Sequence, residues 1–132
     1  MALLGIEEGI NSFLEQFLLN KAAPANLKLI LYTNNHTPVA TDVLANFTEC
    51  TDTGYSAQSL TGGNWTMGTD GSGNSQASYP AITFTFNGNV TIYGYVVTDN
   101  GKTKACWAEA FSSSISFTAG QQLVLTLKLT LS

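Results

Sequence analysis

The pattern of apolar and polar residues between positions 81 and 97 predicts two β-strands joined by a tight turn. From 82 to 86, isoleucine and phenylalanine alternate with threonine, the period-two pattern of a strand that buries one face. Asn87-Gly88 follows, a dipeptide typical of two-residue hairpin turns because both turn residues adopt positive φ. Val90–Val97 is apolar on both faces, so we expect it to lie centrally or to be covered by a second sheet or another chain. These features predict a central β-hairpin.

The last segment, Gln122–Leu131, has the most regular alternation in the chain. Leucine occupies every second position from 123 to 131, which predicts one continuous strand whose leucines share a core with the apolar residues of 82–86. Asp99–Lys102 signals a second tight turn. Further strands are predicted at Leu27–Tyr32, Tyr55–Leu60, Asn64–Met67, Gln76–Tyr79 and Lys104–Phe111. Short strands separated by turns predict a mainly β protein, a two-sheet antiparallel β-sandwich of jelly-roll or immunoglobulin-like type.

One helical signal precedes the strands, at Leu3–Leu19. Its apolar residues recur at spacings of three and four and form a single stripe: Ile6, Ile10, Phe13, Leu14, Phe17 and Leu18. Because Pro24 disfavours helix at the residue before it, we divide the chain into an N-terminal helix and linker, residues 1–22, and a β-sandwich domain, residues 23–132. Two interpretations of the helix stay open: it packs on the chain's own sheet, or it docks on a neighbouring subunit.

Composition limits the partners that the protein can have. The chain has 132 residues, the size of one domain, and only 11% of them are charged. The net charge is −4 and the five basic residues are all scattered lysines, so no basic face is available for nucleic acid. No run approaches the ~20 apolar residues of a membrane-spanning helix, and two early glutamates argue against a secretory signal. We therefore expect neither nucleic acid nor a membrane as a partner.

Few residues have the chemistry of catalysis or metal binding. His36 is the only histidine in the sequence, and we expect a solvated loop residue rather than a member of a catalytic triad. Cys50 and Cys106 form no zinc pattern with it, and they either pair once or stay as two small buried groups. Glu109 shares a strand face with two aromatic residues, and we expect it to pair with a lysine. No enzyme activity, catalytic residue, cofactor or metal is expected.

The middle of the chain carries a recognisable order of motifs. The run LILYTNNHTPVATDVLANFTECTDTGYSAQSL at Leu29–Leu60 joins a strand to TNN-TP and then to D-LANFTE-T--GY. With the later YPAITFTF, GYVVT, WAE and closing LTLKLTLS, it resembles small virion proteins encoded beside the capsid genes of tailed bacteriophages, cyanophages among them. The resemblance covers nearly the whole chain. Cys50 and Asp52 depart from the small or apolar residues expected there, so expectations for that loop do not transfer.

This resemblance implies a non-enzymatic virion structural protein, a capsid decoration or cement protein that stabilises subunit junctions on the capsid surface after synthesis in the host cytoplasm. The expected partners are further copies of the chain, with a trimer as the expected homo-oligomer, and the major capsid protein or another virion protein. The alternative is a host-recognition or carbohydrate-binding module of a phage tail or fibre. The residues expected at the assembly interface are Ile6, Ile10, Phe13, Leu14, Phe17, Leu18, Tyr93 and Tyr95.

Overall fold

The computed structural model describes residues 4–22 and 25–131. In chain order the elements are β1 (Leu4–Gly5), α1 (Glu7–Leu18), β2 (Leu27–Tyr32), β3 (Gln58–Leu60), β4 (Thr66–Thr69), β5 (Ser75–Ser78), β6 (Ile82–Thr85), β7 (Val90–Thr98), β8 (Ala105–Phe117), β9 (Gln122–Leu125) and β10 (Lys128–Leu131). The described residues are thus mainly β with a single α-helix near the N-terminus, as the sequence predicts.

The strands form antiparallel sheets in two layers. One layer is a five-stranded sheet in the order β1-β8-β7-β2-β3. The other combines a three-stranded sheet, β10-β5-β4, with a two-stranded one, β6-β9. Side chains of both layers meet in one apolar cluster, which is the arrangement of a sandwich. The predicted fold class, a mainly β antiparallel sandwich with one helix, is therefore confirmed.

The predicted central hairpin is wrong. β6 pairs with β9 in one layer, whereas β7 lies between β2 and β8 in the other. Neither Asn87 nor Gly88 adopts the positive φ of a hairpin turn. Instead the Phe86 N–H donates to the Gln121 carbonyl at 3.1 Å and the Phe86 carbonyl accepts from the Gly120 N–H at 2.8 Å. These bonds hold the chain to β9, and residues 87–89 cross between the layers.

Asp52 fixes that crossing from a distant loop. Its Oδ2 accepts from the backbone N–H of Asn87 at 2.8 Å and from that of Gly54 at 2.9 Å. These hydrogen bonds, that of Asn87 first, hold the pKa of the Asp52 carboxyl below its usual 3.8.

A lowered pKa at Asp52 predicts a loss of stability in acid. Below about pH 4 the unfolded chain binds a proton at this carboxyl before the folded chain does, so the free energy of unfolding falls as pH falls. We expect Asp52→Asn to flatten part of this dependence. Urea midpoints between about pH 5 and pH 2 measure it. An unchanged slope in the variant would show that this carboxylate does not contribute to the acid response.

β7 is covered on both faces, as its apolar pattern predicts. Leu29, Leu31 and Val97 of β2 and β7 point into the cluster between the layers, the first core. Ile30 and Val96 point to the opposite face of the same sheet. On that face they belong to a second core, which consists of Ile6, Ile30, Tyr32, Phe47, Val96, Ala105 and Ala108. Leu4–Gly5 pairs with β8 and Ile6 is part of this core, so the first described residues are built into the sandwich.

The last segment keeps its predicted alternation but divides into two strands. β9 pairs with β6 and β10 pairs with β5, and Thr126 and Leu127 lie between them. Leu127 is buried in the first core, and Leu123 and Leu125 pack against it, as predicted. The expectation of one continuous strand is wrong because the segment changes pairing partner at Leu127.

Candidate assembly surface

The start of α1 is held firmly by the sandwich. The Ile6 N–H donates to the Cys106 carbonyl at 2.9 Å, and the Glu7 N–H donates to the Ala40 carbonyl at 2.9 Å. The Glu8 carboxylate accepts from the Ala105 N–H at 3.1 Å. Free amides at a helix start need partners, and here neighbouring backbone supplies two of them. The position of α1 is therefore set by its own domain.

The face of α1 that packs on β8 is small and polar. Gly9 is the buried residue of this face, and a Cβ there would lie 2.4 Å from the Cα of Cys106. Ser12 and Gln16, three and seven positions on, are half-buried on the same face. The glycine that weakens the helix by propensity is thus required by close backbone approach.

Gly9→Ala should accordingly separate α1 from β8. The added methyl meets backbone, which cannot move away as a flexible side chain would. We expect a loss of about 1–3 kcal/mol in the free energy of unfolding. Urea denaturation measures it, with Asn11→Ala on the exposed side of the same helix as the control. Equal stability of the two variants would contradict this packing.

The large apolar residues of α1 from Ile10 onwards are partly or largely exposed. We call this surface the apolar stripe: Ile10, Phe13, Leu14, Phe17 and Leu18, whose exposed fractions run from 43% to 77%. The Phe13 and Phe17 rings touch each other, with centroids 5.0 Å apart. The interpretation in which the helix packs on the chain's own sheet agrees with the structure, because Gly9 lies against the Cys106 backbone of β8 and Ile6 is buried. Docking on a neighbouring subunit stays a prediction.

Two of the residues predicted at the assembly interface are instead buried in the cores of their own chain. Ile6 is fully buried in the second core. Tyr95 is 6% exposed in the first core, and its hydroxyl donates to the Glu109 carboxylate at 2.5 Å. Tyr93 is half-buried against the second core, beside a bulge between Ile92 and Gly94. The excess of apolar residues on β7 therefore serves two cores of one chain.

The side chains considered for catalysis have structural partners. His36 is not the solvated residue expected, since its Nε2 lies 2.8 Å from Asp42 Oδ2 and its ring packs edge-on against Phe47. Glu109 pairs with the Tyr95 phenol and not with a lysine; burial raises the pKa of that phenol. These contacts tie together loops and strands.

The cysteines are two separate buried thiols. Neither Cys50 nor Cys106 is in a disulfide. Burial raises the pKa of the Cys106 thiol to about 11, so it is protonated at neutral pH. Within residues 4–22 and 25–131, no three His, Cys, Asp or Glu side chains are placed to hold a metal ion. In the same part of the chain, no helix is long and apolar enough to cross a bilayer.

A cleft of about 380 Å³ lies between the inner face of α1 and the end of the sandwich. Trp65 and Trp107 form part of its wall, and Ser12, Gln16 and Asn26 add polar groups. Trp65 is held edge-to-face by Tyr79, with ring centroids 5.0 Å apart. The sequence alone did not indicate this cleft, because its walls come from segments far apart in the chain.

Comparison with known proteins adds no relative. No protein-family model matches the chain, and no curated protein matches it.

Proposed function

We propose that the chain is a non-enzymatic structural protein of a phage virion, a capsid decoration or cement protein that docks through the apolar stripe. The observation that carries this proposal is a helix fixed to its own domain through Gly9 while Phe17 and Leu18 remain largely exposed. A helix that needed the stripe for its own order would turn it inwards. Contiguous exposed apolar surface on a folded domain marks a site of association.

Burial of the exposed side chains of the stripe would release enough free energy to support assembly. Complete burial of one large apolar side chain gains roughly 1.5–3 kcal/mol. Phe17 and Leu18 are 74% and 77% exposed, so most of that gain remains to be made on docking. Because the sandwich already orders α1, little conformational entropy is lost at the backbone when the stripe docks. A repeated shallow contact of this kind gains strength through oligomerisation on a particle.

The resemblance to small virion proteins indicates a location and partners for the chain. It supports placement on the capsid surface, contact with the major capsid protein or another virion protein, and self-association. The low charge of the chain and its scattered lysines favour protein partners over nucleic acid.

The copy number in purified virions tests this proposal. Quantitative mass spectrometry on particles of the encoding phage should find the chain in numbers comparable to the capsid subunits. Absence from the particle would refute the proposal. A few copies per particle would favour the tail instead.

A glycan-binding function is the second candidate, and the cleft beside α1 favours it. Indole faces can stack on sugar rings while amide and hydroxyl groups bind the sugar hydroxyls. Titration of host-surface glycans against tryptophan fluorescence would show saturable binding that Trp107→Ala abolishes. Identical signals for wild type and Trp107→Ala would exclude this cleft as a glycan site.

A further inference from the structure

We infer that the occupant of the apolar stripe is the same stripe on a second copy of the chain, with the two α1 helices antiparallel. This inference rests on the proposed function, because it names the partner of the same surface. Its two supports are the area of the stripe and the charges at its ends.

The exposed area is of the size that a helix pair buries. At roughly 150–250 Å² for a large side chain, the exposed fractions amount to about 500 Å² per copy. The stripe runs along α1 from Ile10 to Leu18, so a second helix fits it better than a single inserted side chain.

The charges at the two ends of α1 favour antiparallel pairing. Glu7 is exposed at the start of the helix, and Lys21 is exposed just beyond its end, bonded to Glu15 at 3.1 Å. With Leu14 at the two-fold axis, Ile10 of one copy lies level with Leu18 of the other, and Glu7 lies near the C-terminal end of the other helix, which Lys21 follows. The dipoles of the two helices also favour the antiparallel arrangement. Parallel pairing would instead bring the glutamates of both copies together.

Engineered cysteines separate the two arrangements. Both native cysteines are buried, so a new thiol on the stripe is readily distinguished from them. In the antiparallel pair, residue 14 of each copy meets its counterpart within the ~7 Å between Cα atoms that a disulfide allows. Residue 7 is about 21 Å from its counterpart along the axis.

We expect Leu14→Cys to form a covalent dimer under mild oxidation, and Glu7→Cys to form none. Val124→Cys, at an exposed apolar position on β9, is the matched control and should remain a monomer on non-reducing gels. Wild-type protein should sediment at tens of micromolar with a mass twice the 14.0 kDa of one chain. Self-cross-linking of Glu7→Cys at the rate of Leu14→Cys, or a three-chain mass, would overturn the antiparallel pair.

The outcome is independent of the test of function. A monomer in solution that occupies virions in many copies would refute the pairing and leave the proposed function standing. A dimer cross-linked through residue 14 but missing from virions would support the pairing and refute the proposed function.

Discussion

Gly94→Ala is expected to destabilise the fold by about 3 kcal/mol or more. A Cβ at this position would lie only 2.1 Å from the Glu109 carbonyl oxygen and 2.6 Å from the Tyr32 hydroxyl. The carbonyl belongs to the neighbouring strand, and the hydroxyl is fixed by donating to the His36 carbonyl at 3.0 Å. Relief of the clash would therefore require β7 and β8 to separate beside the bulge at Ile92 and Gly94.

Urea unfolding of Gly94→Ala against Gly68→Ala measures this effect. Gly68 also lies on a strand, β4, but a Cβ there meets nothing within 4 Å. The control should change the free energy of unfolding by no more than about 0.5 kcal/mol. If both variants were equally stable, the close contact of Gly94 with β8 would be refuted.

Leu127→Ala should lower the free energy of unfolding by about 2–5 kcal/mol. Leu127 is fully buried where the chain passes from β9 to β10, and its carbonyl accepts from the Tyr79 N–H at 3.0 Å. Truncation leaves a cavity beside an existing apolar void of about 100 Å³, lined in part by Leu27, Val97 and Trp107. The two spaces would join, and the surrounding side chains have little freedom to fill them.

The neighbouring Lys128→Ala is the control for Leu127→Ala. Lys128 is exposed, so its truncation should change stability by no more than about 0.5 kcal/mol. Thermal or urea unfolding of both variants checks the inward facing of Leu127. Similar losses at the two positions would show that the segment faces the other way.

Periodicity in the sequence correctly predicted which residues share a face of a strand or helix. The leucine alternation placed Leu123, Leu125 and Leu127 in the core, and the helical spacing defined the apolar stripe. The sequence did not reveal which face of α1 would pack on the sheet, because that depends on the contact between Gly9 and the backbone of Cys106. A glycine followed three positions later by serine was the available signal of a closely packed helix face.

Long-range contacts explain the remaining errors. The Asn87-Gly88 signal is local, whereas Asp52, 35 positions away, holds that segment in a crossing between layers. The apolar excess of β7 suggested an interface because nothing in the sequence predicted the second core, to which Ile6 and Phe47 contribute. Local pattern therefore predicted the elements, and their partners depended on residues distant in the chain.

Substitution, and not deletion, is the way to examine the stripe. Removing residues 1–22 would also remove β1 from the edge of β8 and Ile6 from the second core. Loss of assembly in such a truncation would then have two causes. Phe17→Ser with Leu18→Ser changes two highly exposed side chains and removes the Phe13–Phe17 ring contact, so it should lower the free energy of unfolding by no more than about 2 kcal/mol.

The copy number of the Phe17→Ser, Leu18→Ser variant in virions, relative to wild type, tests the assembly surface most directly. Met67→Ser is the matched control, since Met67 is a 71% exposed apolar residue on β4, outside the stripe. Loss of roughly 1.4 kcal/mol of docking energy corresponds to a tenfold weaker contact, and two residues of this size should exceed that. We predict at least a tenfold fall in occupancy for the double variant and wild-type occupancy for Met67→Ser. Wild-type occupancy of a folded double variant would contradict the assignment of the stripe as the assembly surface.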